Sequence, residues 1–256
     1  MTRVAALLAL ALSTTACERV PDKPERPETA LRFPTPDRPV SELGSNQFST
    51  ETDRDSVGEA RKVMDFAAIE PGMTVADIGA GEGYYTVRLA ERVGEKGRVL
   101  AQDIDDDALG RLGRRVERER LDNVSIQPGA ADDPRLPGDS FDRVFLVHMY
   151  HEVEEPYAFL WRLWPALKEG GQVIVVDVDR PTDRHGISPF LLTCELEQVG
   201  FTLDTLRNAP ELAGYYAQFR RNATRPEPSA IAPCKGDAGN KPAKVKTVEA
   251  AAGGLQ

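Results

Sequence analysis

Thr74-Val-Ala-Asp-Ile-Gly-Ala-Gly-Glu-Gly-Tyr-Tyr-Thr86 is the stretch whose reading decides the fold. Thr74 to Ile78 is a short, mostly apolar run with β-branched residues, the pattern of a strand buried on both faces. Gly79-Ala80-Gly81-Glu82-Gly83 breaks it, and from Tyr84 the apolar positions Val87, Leu89, Ala90 and Val93 fall at helical spacing. Strand, glycine turn and helix open a doubly wound α/β sheet and place backbone N–H groups in the crevice beyond the strand's carboxyl end.

The turn departs from a dinucleotide fingerprint. The third glycine, Gly83, comes one residue early for G-x-G-x-x-G, and Asp77 stands two residues before the first glycine. A fixed carboxylate there repels a pyrophosphate and suits a cationic amino group. At these residues the chain resembles the class I S-adenosylmethionine (SAM)-dependent methyltransferases, with Val75 to Gly83 as the first motif. The resemblance implies a Rossmann-like seven-stranded sheet, mostly parallel with an antiparallel closing hairpin and helices on both faces. It also implies SAM as cofactor.

Outward from the turn, Gly97 to Asp103 reads as the second strand, ending in the acidic cluster Asp103, Asp105, Asp106 and Asp107. An acid about 20 residues past the glycine turn is where a ribose diol is held in this architecture. Asp103 matches the family's ribose-binding residue, and the other three are expected to cap the helix from Asp106 to Arg120. A Ca²⁺ loop is disfavoured, because the loop glycine and terminal Glu spacing are missing. Asn123–Gln127 reads as the third strand, followed by the loop that the resemblance places at the adenine. There Asp132 or the backbone N–H groups are alternative partners. The implied cofactor set is Asp77, Gly79, Ala80, Gly81, Tyr84, Asp103, Ile104, Ala131 and Asp132.

The fourth strand, from Arg143, runs into His148-Met-Tyr-His-Glu-Val153 at the carboxyl edge of the sheet. His148, Tyr150 and His151 are the catalytic candidates, as a general base or as groups that orient substrate. A loop-fixing role for them stands equally open. No metal ligand set is expected: His148, His151 and Glu152 lack the H-E-x-x-H spacing, and no further ligand is evident. Helices are expected over 56–69, 155–169 and 187–199, a buried strand over 172–177, and a closing hairpin from 201–206 and 214–220. His185, in the loop after the fifth strand, is a further candidate for lining the substrate pocket.

The flanks read differently. Residues 1–17 carry Arg3, an apolar run and small residues before Cys17, an arrangement resembling a bacterial lipoprotein signal with Cys17 lipidated, although Thr14 stands where Leu is usual. An ordinary secretory signal or an apolar helix is the alternative. Residues 18–46 are Pro-rich and read as a tether, 47–222 as the methyltransferase domain and 223–256 as a disordered tail. Pairing of Cys194 with Cys234 is left open.

A net charge of −9 and a pI near 5.0 without a basic stripe argue against a nucleic-acid partner. The expected partner is a small-molecule or lipid-like methyl acceptor, with attachment to the membrane through Cys17. That places the protein in the cell envelope, or in the cytoplasm if the leader does not export it. An exported domain would meet little SAM, so a non-catalytic, membrane-tethered binding module is the second reading. An NAD(P)-dependent oxidoreductase is the third.

Overall fold

The computed structural model describes residues 25–41, 43, 50–212 and 214–236. The lipoprotein-like segment and Cys17 lie outside the described residues. The elements run α1 (Glu51–Ser56), α2 (Glu59–Phe66), β1 (Thr74–Ile78), α3 (Tyr84–Val93), β2 (Arg98–Asp103), α4 (Asp106–Glu119) and β3 (Val124–Pro128). They continue with β4 (Phe141–Val147), α5 (Pro156–Leu163), β5 (Leu167–Asp177), α6 (Pro189–Gln198), β6 (Phe201–Ala209) and β7 (Gly214–Arg221). One seven-stranded sheet has the order β3-β2-β1-β4-β5-β7-β6. β7 runs antiparallel to both its neighbours, β5 and β6, closing the sheet as expected. Among the described residues no helix is long and apolar enough to cross a membrane.

β5 shows why the sheet is covered twice. Val173 and Val175 enter one core with α5 and α6, while Ile174 and Val176 enter the other with α2 and α3. Side chains of a strand alternate, so a continuous apolar run demands helices on both faces. The strand order reverses at β1, whose neighbours are β2 and β4. The glycine turn after β1 and the loop after β4 therefore share the crevice at the switch point.

Local chemistry moves three expected boundaries. The helix expected over 56–69 is α2, shortened to Glu59–Phe66, because Gly58 takes a left-handed φ of 66° between it and the separate α1. α1 itself starts in a reciprocal capping box of Thr50 and Asp53. The helix expected to run to Glu169 stops at Leu163 ahead of Pro165, which has no N–H to give. Leu167 to Gly171 then extend β5, with a register shift opposite Phe141 and Arg143.

The flanking segments are the larger correction. Residues 25–41, expected as tether, form a strap across α5 and α6. Ala30 and Phe33 are buried in the core of that face, and Arg26 makes a two-pronged ion pair with Glu155 at 2.5 and 2.7 Å. Arg38 pairs with Glu195 at 2.8 Å, both side chains 1% exposed. The first part of the expected tail is ordered too. Trp161 donates its indole N–H to Pro226 O, Ile231 is buried, and the N–H of Gly236 reaches Asp37 O, so the two straps lie side by side. Prolines suit such straps: they keep the backbone extended where it has no sheet to join.

Cys194 of α6 and Cys234 of the second strap form a disulfide 40 residues apart. Closing a loop of that length is worth about 4 kcal/mol in the chain-entropy picture and typically about 2–4 in practice. Reduction is therefore expected to lower the stability by about 2–4 kcal/mol, measured by urea unfolding with and without reductant. A Cys194→Ser variant that does not respond to reductant would assign the effect to this bond.

Candidate functional site

The glycine turn is fixed by contacts that glycine alone permits. Gly79 has φ 67°, and a Cβ there would lie 2.9 Å from Cγ of Met149, so the loop after β4 packs directly on the turn. Gly83 has φ 88°, and its Cβ would meet Leu112 of α4 at 2.5 Å. Gly81, between them, faces open space. Ala80 ties the turn to β2 by donating its N–H to Gln102 O at 3.0 Å.

Two carboxylates frame this turn. Asp103 accepts the N–H of Gly81 at 2.8 Å with one oxygen, and those of Ile104 and Asp105 at 2.7 and 3.0 Å with the other. A carboxylate offers about four lone-pair positions, so acceptor capacity remains. Asp77 is buried and accepts a 2.6 Å hydrogen bond from the Thr86 hydroxyl. Burial raises its pKa to about 6, against the pull of Thr86 and of the Arg54 guanidinium. Such a group is stabilised as an anion by an incoming cation. Ile104, 43% exposed at the end of β2, offers an apolar surface beside Asp103. As expected, Asp105 caps α4, accepting from the N–H groups of Asp107 and Ala108.

Other expected cofactor residues have further duties. Tyr84 is 6% exposed, donates to Asp55 at 3.0 Å, and lies between the guanidinium groups of Arg54 and Arg88 at 3.8 and 3.9 Å. Its phenol therefore fastens α1 over the turn. Asp132 is 4% exposed and accepts from Arg162 at 2.7 Å and from Thr29 of the first strap at 2.6 Å through one oxygen. A bond to an adenine amino group would have to use its other oxygen. Ala131, beside it, is half-buried in the same loop.

The catalytic candidates separate. Tyr150 is fully buried and donates to Glu195 at 2.8 Å, and burial holds its pKa well above the ordinary value. Tyr150 is a core anchor and leaves the catalytic set. His148, at φ 55°, turns toward α2, with Nε2 3.6 Å from Glu59. Burial opposes ionisation of Glu59, but the nearby His148 ring and the two hydrogen bonds donated by Arg54 outweigh it and hold its pKa down at about 2. His151 turns the other way, its Nδ1 3.0 Å from both oxygens of the fully buried Asp177. His185 comes to meet it from the loop after β5, ring centroids 5.8 Å apart. A further ligand beside His151 and Glu152 is therefore present in space, though no sequence spacing signals it.

Sequence reasoning missed Arg54, Glu59, Thr86 and Asp177. Asp177, an acid closing an apolar strand at the sheet's carboxyl edge, carried a usable signal. Arg54 and Glu59 carried none, since they meet the turn only through the packing of α1 and α2. Two clefts, of about 290 and 370 Å³, lie off this crevice, and neither is lined by Asp77 or Asp103.

The comparisons with known proteins fit this geometry. Residues 75–171 match the family model of the methyltransferase domain. Over 123 residues the chain is 31% identical to the ubiquinone/menaquinone biosynthesis C-methyltransferase UbiE of Shewanella frigidimarina, covering 47% of this chain and 49% of that protein. The UbiE of Shewanella sp. strain ANA-3 is 32% identical over the same coverage. The chain thus spans about half the length of the curated relatives it matches. Among solved structures, a SAM-dependent methyltransferase from Aquifex aeolicus superposes with a TM-score of 0.59 at 25% identity, over 65% of this chain and 90% of that one. The [4+2]-cyclase SpnF shares the fold at a TM-score of 0.58 and 16% identity, over 77% of this chain and 92% of that one. The expected enzyme class, a SAM-dependent methyltransferase, and the expected cofactor agree with these findings.

Proposed function

We propose that the chain transfers a methyl group from SAM to a small-molecule or lipid-like acceptor. One observation carries this reading: a buried carboxylate in want of a cation and a ribose-type carboxylate stand on either side of an open glycine turn. Asp77 would hold the ammonium group, Asp103 the ribose hydroxyls, Ile104 one face of the adenine, and the Ala131–Asp132 loop its edge. Two anions at this turn oppose a pyrophosphate, which disfavours NAD(P).

When bound, SAM supplies an electrophilic methyl on a good leaving group, so the protein's task is alignment in a dry pocket. Met149, packed on Gly79, covers one side of the turn. His151, with Nδ1 against Asp177, is held in one orientation at the sheet edge where the acceptor would approach. The 290 Å³ cleft, with Phe190 and Leu191 on its wall and Arg180 and Lys235 at its edge, opens after β5 on the same sheet edge. It has room for an apolar acceptor carrying an anionic or carbonyl oxygen. The UbiE relatives are ubiquinone/menaquinone biosynthesis enzymes, which is compatible with such an acceptor.

For location, the disulfide favours an oxidising compartment and hence the exported reading of the leader, with Cys17 as the membrane anchor. Mass spectrometry of the N-terminus after expression in bacteria decides it: a diacylated Cys17 supports the anchor, and an intact Met1 overturns it.

The functional test is calorimetric titration of the full chain with SAM, its demethylated product and NAD. Binding of the first two and not the third supports the reading, and the reverse sinks it. The pH dependence adds a signature. Below about 6 Asp77 holds a proton that a cationic ligand must expel, so SAM affinity is expected to fall about tenfold per pH unit there and to level above it. In Asp77→Asn the slope disappears. The stability of the ligand-free protein runs by the same linkage. The native state keeps this proton to higher pH than the unfolded chain, so the Asp77 contribution declines as pH rises from about 4 to about 6.

A further inference from the structure

We propose that His151, Glu152 and His185 form a binding site for one divalent transition-metal ion of the zinc type. One ligand atom from each lies within 4.8 Å of the others, and Nε2 of His151 is 3.8 Å from Oε1 of Glu152. Ligands bound tetrahedrally at about 2.0–2.1 Å stand about 3.4 Å apart, so movements of a few tenths of an ångström to about an ångström close the site.

The surroundings select a metal over a hydrogen-bond network. His151 is 1% exposed, and its Nδ1 is held by Asp177, whose Oδ1 also accepts the N–H of Val178 at 2.8 Å. A carboxylate on Nδ1 fixes the proton there and leaves the Nε2 lone pair directed at Glu152, the carboxylate–histidine arrangement that supports metal ligands. A lone pair facing a carboxylate needs a positive charge between them. A proton would serve those two groups. The third member argues for a metal, because His185 brings another nitrogen donor to the same point, and its Nδ1 is buried without a hydrogen-bond partner. Two histidines and one carboxylate suit zinc and its neighbours, and three protein ligands leave a coordination position open.

The ligands come from the loops after β4 and β5, on the sheet edge where an acceptor would meet the methyl donor. The open position would take an acceptor oxygen, such as that of a phenol or enol. That role rests on the methyl-transfer reading; the site itself does not.

The test uses the untagged full chain, stripped with chelator and free of SAM. It is titrated with Zn²⁺ by calorimetry and with Co²⁺ by visible absorption. The expected result is one equivalent bound, with Co²⁺ ligand-field bands. His185→Ala and Glu152→Ala should each weaken Zn²⁺ binding at least tenfold, and Asp177→Asn by about 10–100-fold. Asp106→Asn, in the exposed acidic cluster, should change nothing. Absence of saturable uptake, or uptake unaltered by both His185→Ala and Glu152→Ala, overturns the site. Glu152 is partly exposed, so its variant decides the matter if His185→Ala does not fold. SAM binding measured on the stripped protein reports separately on the methyltransferase reading.

Discussion

Glu195→Ala is expected to destabilise the protein by about 3–5 kcal/mol, the cost of stranding a buried charge. Glu195 takes Nε of Arg38 on one oxygen and the Tyr150 hydroxyl on the other, each at 2.8 Å. Burial works against the Arg38 charge, yet Glu195 outweighs it and leaves the guanidinium pKa raised. Without Glu195 the described partners left to the cation are the carbonyls of His151 and Val153, at 3.4 and 3.1 Å, and the Tyr150 ring at 5.7 Å. The double variant Arg38→Met/Glu195→Leu removes both charges and should recover most of the loss, since an apolar pair of similar volume is often neutral or better. Urea unfolding with an unchanged m-value is the measurement. A loss below about 1 kcal/mol would mean that the first strap is not docked as described. Because Arg38 grips the loop that carries His151, the single variant should also lower any activity that depends on this histidine.

The second large effect is on the cofactor. With Asp103 on the ribose as proposed, Asp103→Ala would remove two charge-assisted hydrogen bonds, each worth about 1.5–3 kcal/mol, so SAM affinity should fall at least about 100-fold. It also frees the N–H of Gly81, now held at 2.8 Å, and loosens the turn itself. Asp103→Asn separates the two contributions. It keeps one carbonyl oxygen for Gly81 and loses the charge, so its binding should be intermediate while thermal stability stays close to that of the parent. Unchanged SAM affinity in Asp103→Ala would remove the ribose assignment, and with it the main support for the cofactor site. The test matters because the sheet does not decide the reaction: a [4+2]-cyclase shares it.

The parts of the site legible in the sequence are those where neighbours in the chain are neighbours in space. Asp77, Gly79, Gly81 and Gly83 lie on one continuous strand, turn and helix. Asp103 follows from the next strand by a fixed topological step. Of the two roles left open for Tyr150, the structure favours loop fixing, which its place between His148 and His151 does not reveal. Its own side chain drops through the loop to Glu195, which stands 45 residues on. The loop histidines were read as one cluster, but the backbone at His148 is left-handed, so it and His151 face opposite sides of the crevice.

By itself, then, the sequence determined the doubly wound sheet, its antiparallel closure and the glycine turn framed by two acids. The strand, turn and helix follow from alternation, helical spacing and the backbone freedom of glycine over a few residues, while the antiparallel closure and the ribose role of Asp103 came from what the family resemblance implies. The tertiary structure decided the rest. It turned proline-rich flanks into straps, because Phe33 and Arg38 find partners more than a hundred residues away and leave no periodic trace. It paired Cys194 with Cys234, and it gathered His151, Glu152 and His185 where β4 and β5 end side by side. Long-range packing brings such groups together, and no local spacing records it.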